Sequence, residues 1–271
     1  MRRKGQNFLV DPHIIERISD YAGLTPEDCV LEIGPGTGNL AEVLSSRAGK
    51  VVAVEVDPAL ATNLRGRFDN VQVVLGDALK VDLSSFSCNK IVSNLPYQIS
   101  SKVTFKIVRM PFDLAVLMYQ REFAKKMVAR PGSDDYGRVS VVVQHFCQAE
   151  ILEHVPRTAF RPVPEVQSAI IRLKPKPKKP GIDEDLFMRL AEGLFSHRRK
   201  KVKTAMETIG FKIKASAGAS GYDANGPSEK PSGTGIETFE AYESLIDKRP
   251  EELSPEDVEK LTEITQSTKK A

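Results

Sequence analysis

Residues 29–40 read CVLEIGPGTGNL. Val30, Leu31 and Ile33 lie in a short apolar run, as a strand buried on both faces requires. Gly34, Gly36 and Gly38 then form GxGxG, a turn that lets backbone approach a ligand closely. The segment NLAEVLSSRA (39–48) that follows is an amphipathic helix candidate. Strand, glycine turn and helix together open a βαβ unit.

Outward from this stretch the pattern repeats. VVAVEV (51–56), VQVVL (71–75) and KIVSN (90–94) read as further buried parallel strands. PALATNLRGRF (58–68) and ISSKVTFKIV (99–108) supply helices, so the sheet is expected to be doubly wound. LAVLMYQ (114–120), RVSVVVQHF (138–146) and SAIIRLKPK (168–176) add three strands, with REFAKKMVAR as a helix between the first two. No helical pattern separates the last two strands, so an antiparallel pair is expected there. The expected architecture is α/β, with a seven-stranded, mostly parallel sheet. KPKPKKPG (174–181) suits neither a helix nor a central strand and marks a boundary. Residues 1–176 form the expected first domain and 177–271 a small helical one. In the latter, DEDLFMRLAEGLF, HRRKKVKTAMETI, ETFEAYESLID and SPEDVEKLTEI read as helices, with a Gly/Ser/Pro-rich loop over 215–236. Ser254, Pro255 and Asp257 carry an N-capping signature.

With 271 residues, 41% hydrophobic and 28% charged, the chain has the composition of a globular protein. No apolar run nears the roughly 20 residues of a membrane helix. The basic start MRRKGQNFLVDP has an apolar stretch of only three residues, too short for an export signal. Cys29, Cys88 and Cys147 are far apart in sequence and form no CxxC pair. A reducing, cytoplasmic setting without disulfide or zinc is expected. The four histidines show no metal-ligand spacing, and no catalytic metal is expected. The net charge of +3 hides an asymmetry: residues 1–214 carry +9 and 215–271 carry −6. A basic body suits an anionic partner such as nucleic acid.

Polar groups recur where the strands end. Glu55 lies 21 residues beyond Gly34, where a carboxylate can accept ribose hydroxyls, with Val56 beside it. Asp77, followed by Ala78, ends the third strand and can accept from an adenine amine. A dinucleotide and S-adenosylmethionine both fit such a rim. The third glycine, however, comes one residue early for GxGxxG. Glu32 would repel phosphates, whereas it suits an ammonium or sulfonium. S-adenosylmethionine is therefore the expected cofactor and S-adenosylhomocysteine the product. The competing reading of Glu32 is a strand-end carboxylate tied to a local amide.

The fourth strand ends in Asn94-Leu95-Pro96-Tyr97. An adenine amine is a poor nucleophile because its lone pair is delocalised. The Asn94 side-chain oxygen and the Leu95 carbonyl can each accept one of its hydrogens and aim the lone pair at a methyl group. Pro96 fixes the turn, and Tyr97 offers a face for stacking on a flipped-out or single-stranded base. FRPVPEVQS (160–168) delivers Phe160 as a second stacking ring; a core residue at a corner is the alternative.

These segments resemble the KsgA-type small-subunit rRNA adenine dimethyltransferases. GQNFLVD (5–11), LEIGPGTGNL (31–40), EVD (55–57), GDAL (76–79), NLPYQIS (94–100), PGSDDYGRVSV (131–141), FRPVPEVQSAI (160–170) and FSHRRKKVK (195–203) occur in that family's order. The resemblance implies a Rossmann-like methyltransferase domain with a small helical domain. It implies dimethylation of two adjacent adenosines in the hairpin near the 3′ end of small-subunit rRNA, within an immature small ribosomal subunit. It implies that Asn7 and Leu9 contact the cofactor, that Gly34 lines it, that Glu55 takes the ribose and Asp77 the adenine, and that Asn94 touches both substrates; Gly36 of the same turn is a further cofactor candidate. Tyr97 and Phe160 would sandwich the base. Gln98 stands where many members carry Asn, and only an indirect effect is expected. Glu165 stands where a basic residue is common. Arg198, Arg199, Lys200, Lys201 and Lys203 are expected to contact RNA, with Arg198, Lys201 and Lys203 on one broad helix face; a solvated surface is the alternative. A monomer is expected. The competing functions are a large-subunit adenine methyltransferase and a non-catalytic ribosome assembly factor.

Overall fold

The computed structural model describes residues 7–211 and 243–270, and the loop expected at 215–236 lies outside them. The chain divides into two units, Met1–Val128 with Phe146–Pro177, and Ala129–His145 with Lys178–Ala271. Residues 129–145, assigned from sequence to the first domain, group by contact with the second.

The first unit holds β1 (Phe8–Leu9), α1 (Pro12–Ala22), β2 (Cys29–Ile33), α2 (Asn39–Arg47), β3 (Lys50–Glu55), α3 (Pro58–Leu64) and β4 (Val71–Leu75). It continues through β5 (Lys90–Asn94), α4 (Ser100–Ile107), β6 (Leu114–Gln120) and α5 (Arg121–Val128). After an excursion into the second unit it closes with β7 (Cys147–Val155), β8 (Phe160–Arg161) and β9 (Ser168–Pro175). The main sheet has seven strands in the order β4-β3-β2-β5-β6-β9-β7. The first five are parallel, and β9 runs antiparallel to both β6 and β7. Val30, Leu31, Val51, Val52, Ile91 and Val92 are buried on the central strands, as strands covered on both faces demand.

Strand order reverses between β2 and β5, the switch point where open α/β sheets form their crevice. These two strands pair only over Val30↔Lys90 and Leu31↔Ile91. Past that point Ser93 takes over the ladder. Its hydroxyl donates to the Ile33 carbonyl (2.6 Å) and accepts from the Ile33 N–H (3.3 Å). The seam opens beyond this bridge.

One strand assignment requires correction. Residues 138–146 are a helix, α6 (Arg138–Phe146), and the strand that pairs with β9 is the next segment, 147–155. The run of valines at 139 and 141–143 favours strand by propensity, but burial of Val141, Val142 and Val143 overrides it. The antiparallel partner of β9 is thus real but lies nine residues later.

In the second unit, α6 is joined by α7 (Glu184–Ser196), α8 (Val202–Thr208) and α9 (Pro255–Lys270). Leu186, Phe187, Leu190, Val258 and Leu261 are buried. The His145 ring stacks on Phe187 at 3.8 Å and shares a 2.6 Å hydrogen bond with Glu259. The Ser254 cap forms as read: Ser254 Oγ accepts from Asp257 N, and Asp257 Oδ2 accepts from Ser254 N, both at 3.1 Å. The segment 197–209 is not one helix. Helix α7 stops at Ser196 and α8 starts at Val202, so Arg198, Lys201 and Lys203 do not share a helix face. Four successive cations repel one another along a helix, and two find carboxylates instead: Arg198 with Glu251 at 3.0 Å and Lys201 with Asp247 at 2.7 Å.

Candidate active site

A cavity of about 350 Å³ opens at the carboxyl ends of β2, β3, β4 and β5. Its wall includes Asn7, Leu9, Glu32, Gly34, Gly36, Glu55, Val56, Asp77, Ala78, Asn94, Leu95, Pro96 and Tyr97. The sequence-predicted cofactor residues therefore converge on one space. Phe160 does not join them.

The glycine turn is shaped by what lies against it. Gly34 and Gly36 both have positive φ (72° and 58°), a region that L side chains enter at a cost. A Cβ on Gly34 would stand 3.0 Å from Pro96 Cγ, and one on Gly36 2.8 Å from Phe8 Cδ1. The turn thus packs between Asn-Leu-Pro-Tyr and the N-terminal strand. Glu55 fixes its backbone: its carboxylate accepts from Gly36 N (3.1 Å) and Asp57 N (2.9 Å). A phosphate would need the amide that Glu55 already occupies. Asp77 accepts from Leu79 N at 2.9 Å and lines the cavity.

Glu32 is only 2% exposed, and its Oε2 has no hydrogen-bond partner. Burial, reinforced by the charge of Glu55, pushes its carboxyl up to about 8. The local-amide reading of Glu32 therefore fails for this oxygen. The Asn94 Oδ1 atom is likewise buried without a partner. Native structures rarely leave such atoms unsatisfied unless a ligand completes them. A buried carboxyl that gains its charge only beside a cation, and a buried amide oxygen that accepts, call for a ligand rich in N–H donors or positive charge. S-adenosylmethionine fits this set; a pyrophosphate does not.

Tyr97 lines the cavity, and its hydroxyl shares a 2.6 Å hydrogen bond with Ser168 Oγ. Burial raises its pKa against the opposing effect of that bond. The ring is thus held in one orientation. Phe160, by contrast, is fully buried. It sits opposite Leu9 in the β1–β8 pair and packs in the core with Ile14, Met118 and Ile170. The structure favours the corner-core alternative, because the Phe160 side chain is wholly taken up in that core.

Two further residues matter that sequence reasoning missed or undervalued. Asn39 Nδ2 donates to the Leu9 carbonyl at 2.8 Å and ties the N-terminal strand to the start of α2. An Asn at a helix start was visible in the sequence, but its partner 30 residues away was not. Gln98, for which only an indirect effect is expected, stands in the cavity wall itself.

Comparison with known proteins agrees with this geometry. A curated relative from Methanosarcina mazei, named probable ribosomal RNA small subunit methyltransferase A, is 44% identical over 93% of this chain and 88% of its own. The protein of that name from Thermococcus gammatolerans is 44% identical over 95% of this chain and 86% of its own. Among solved structures, a dimethyladenosine transferase from Plasmodium falciparum matches with a TM-score of 0.74 and 29% identity, covering 94% of this chain and 95% of its own. The 23S rRNA methyltransferase ErmE matches at 0.63 and 27%, covering 96% and 99%. The sequence profile described as ribosomal RNA adenine dimethylase spans residues 1–221, and this chain belongs to that family.

Proposed function

We propose that this protein dimethylates the N6 of two adjacent adenosines in the hairpin near the 3′ end of small-subunit rRNA, using S-adenosylmethionine. The observation that carries the reading is the pair of buried, unpartnered acceptors, Glu32 Oε2 and Asn94 Oδ1, facing one cavity. When bound, S-adenosylmethionine supplies an electrophilic methyl group. Glu32 would ionise beside the cofactor's positive charge, Glu55 would hold the ribose, and Asp77 would accept from the adenine amine. Val56, 45% exposed on the cavity wall, would offer an apolar contact to the bound cofactor.

The chain's own contribution to the transfer is position and polarity, with no strong base. Asn94 Oδ1 accepts one hydrogen of the target amine and the Leu95 carbonyl the other. Both acceptors draw the nitrogen toward a tetrahedral shape with its lone pair free. Tyr97 stacks on the base, and its bond to Ser168 keeps the ring in place. Phe160 serves the opposite face only once its ring leaves the core packing that buries it. Arg198, Arg199, Lys200, Lys201 and Lys203 receive RNA phosphates, with Arg198 and Lys201 exchanging a carboxylate partner for a phosphate. The enzyme works as a cytoplasmic monomer on an immature small subunit. Among the described residues no helix is long and apolar enough to cross a membrane.

The test is transfer of labelled methyl groups to under-methylated small subunits, to large subunits and to protein-free RNA, with nucleosides identified afterwards. Label in dimethyladenosine from under-methylated small subunits is expected. Label confined to large subunits would move the reading to the large-subunit enzyme. No label in any substrate, with cofactor still bound, would move it to an assembly factor.

A further inference from the structure

At the opposite end of the β2–β5 seam lies a feature that methyl transfer does not use. Cys29 opens β2 and Cys88 precedes β5 by two residues. They are 59 residues apart in sequence, yet their Sγ atoms stand 2.8 Å apart. That separation is less than 1 Å longer than a disulfide bond of about 2.05 Å. The thiols are held there by their surroundings. Cys29 N donates to Asn89 Oδ1 at 2.9 Å, and Asn89 Nδ2 donates to Asp28 Oδ1 at 2.8 Å. Lys90 pairs with Asp28 at 2.9 Å and also donates to the Gly23 carbonyl. Both backbones flanking the sulfurs are therefore fixed before any bond forms.

We propose that Cys29 and Cys88 are a reversible disulfide-forming pair that staples β2 to β5. The location gives the bond a consequence. The ladder between these strands is two register pairs long, whereas β2–β3 and β5–β6 each run to five. The same two strands carry Glu32 and Asn94 at their other ends. A covalent tie therefore closes the sheet's shortest ladder at the end away from the cavity. It also closes a loop of about 60 residues in the unfolded chain, a length at which cross-links stabilise strongly.

Access sets the order of events. Cys29 is partly exposed, and Cys88 is buried. The Cys29 thiolate attacks one sulfur of a low-molecular-weight disulfide, forms a mixed disulfide and expels one small thiolate. Cys88 then gives its proton to water and attacks Cys29 Sγ, expelling the second small thiol. Two protein thiols are oxidised, and one small disulfide is reduced to two thiols. Burial and the neighbouring Cys29 raise the Cys88 pKa, with Lys50 opposing, so the second step is the slower one. Cys147, fully buried at the start of β7, is the internal control.

The folded full-length protein should be incubated with oxidised glutathione, then analysed by intact mass, peptide mapping and thermal denaturation. The expected product has lost two hydrogens, carries a Cys29–Cys88 cross-linked peptide and melts several degrees higher. Dithiothreitol should reverse both changes, and Cys88→Ser and Cys29→Ser should each abolish them. The mass and mapping results need no variant, so a misfolded variant would not leave the question open. A mixed disulfide at Cys29 that persists at equilibrium with a free Cys88 thiol, a link through Cys147, or no loss of hydrogens would each overturn the proposal.

Discussion

The carboxyl of Glu32 keeps its proton because nothing around it pays for the charge: it is buried, its Oε2 is unpartnered, and Glu55 is close. Its folded pKa of about 8 lies above its ordinary 4.5. Between those values the folded state holds a proton that the unfolded state has released. Its stabilising contribution is therefore complete below about pH 4.5 and is lost as pH rises through 8. Glu32→Gln should melt higher than wild type at pH 8, by at most about 5 kcal/mol, and match it near pH 4.5. Thermal denaturation at both pH values checks this, and a pH-independent difference would contradict it. Cofactor affinity should rise from pH 6 to 8 in wild type and stay flat in the variant, measured by calorimetry. At Tyr97 the ring matters more than its hydroxyl. Tyr97→Phe loses only the bond to Ser168 and should retain at least about a third of wild-type kcat/KM, whereas Tyr97→Ala should lose at least tenfold, equivalent to about 1.4 kcal/mol. Equal losses in the two variants would show that the hydroxyl is the essential part.

Single elements explain which parts of the fold were legible. The strand ends bearing Glu32, Glu55, Asp77 and Asn94 were readable because each motif is local: an apolar run, then a turn, then a polar group. The N-terminal strand was not, because β1 exists only through β8, about 150 residues later, with Leu9 opposite Phe160. Core packing with Ile14 and Met118, also distant in sequence, buries Phe160, which the sequence offers equally well as a clamp or as core. The meeting of Cys29 and Cys88 is non-local in the same way. Residues 138–146 misled for a different reason: a β-branched run satisfies strand and buried-helix patterns alike until a partner decides. Where the signal was a local side-chain bond it held, as at the start of α9. Ser254→Ala removes the acceptor for Asp257 N and should destabilise the protein by about 1 kcal/mol. Chemical denaturation measures it, and no change would mean that the cap contributes nothing beyond solvation.

Across the whole molecule, charge and pocket divide the work. In the proposed function, the +9 on residues 1–214 would give a nonspecific attraction for RNA, and the cavity would supply the chemistry. Two cations of the 198–203 stretch are already paired with Glu251 and Asp247. Releasing them by Glu251→Gln with Asp247→Asn should tighten RNA binding and steepen its salt dependence, by a slope of about 1 for each phosphate gained. Unchanged affinity would place the RNA contact elsewhere. The central claim is that Asn94 activates the target amine, and single-turnover methylation of under-methylated small subunits by Asn94→Ala, with cofactor affinity measured on the same preparation, tests it most directly. The rate of dimethyladenosine formation should fall by about 10²–10³ while the cofactor Kd changes by less than about tenfold, or 1.4 kcal/mol. A methylation rate within about threefold of wild type, less than 1 kcal/mol of barrier, would contradict the account.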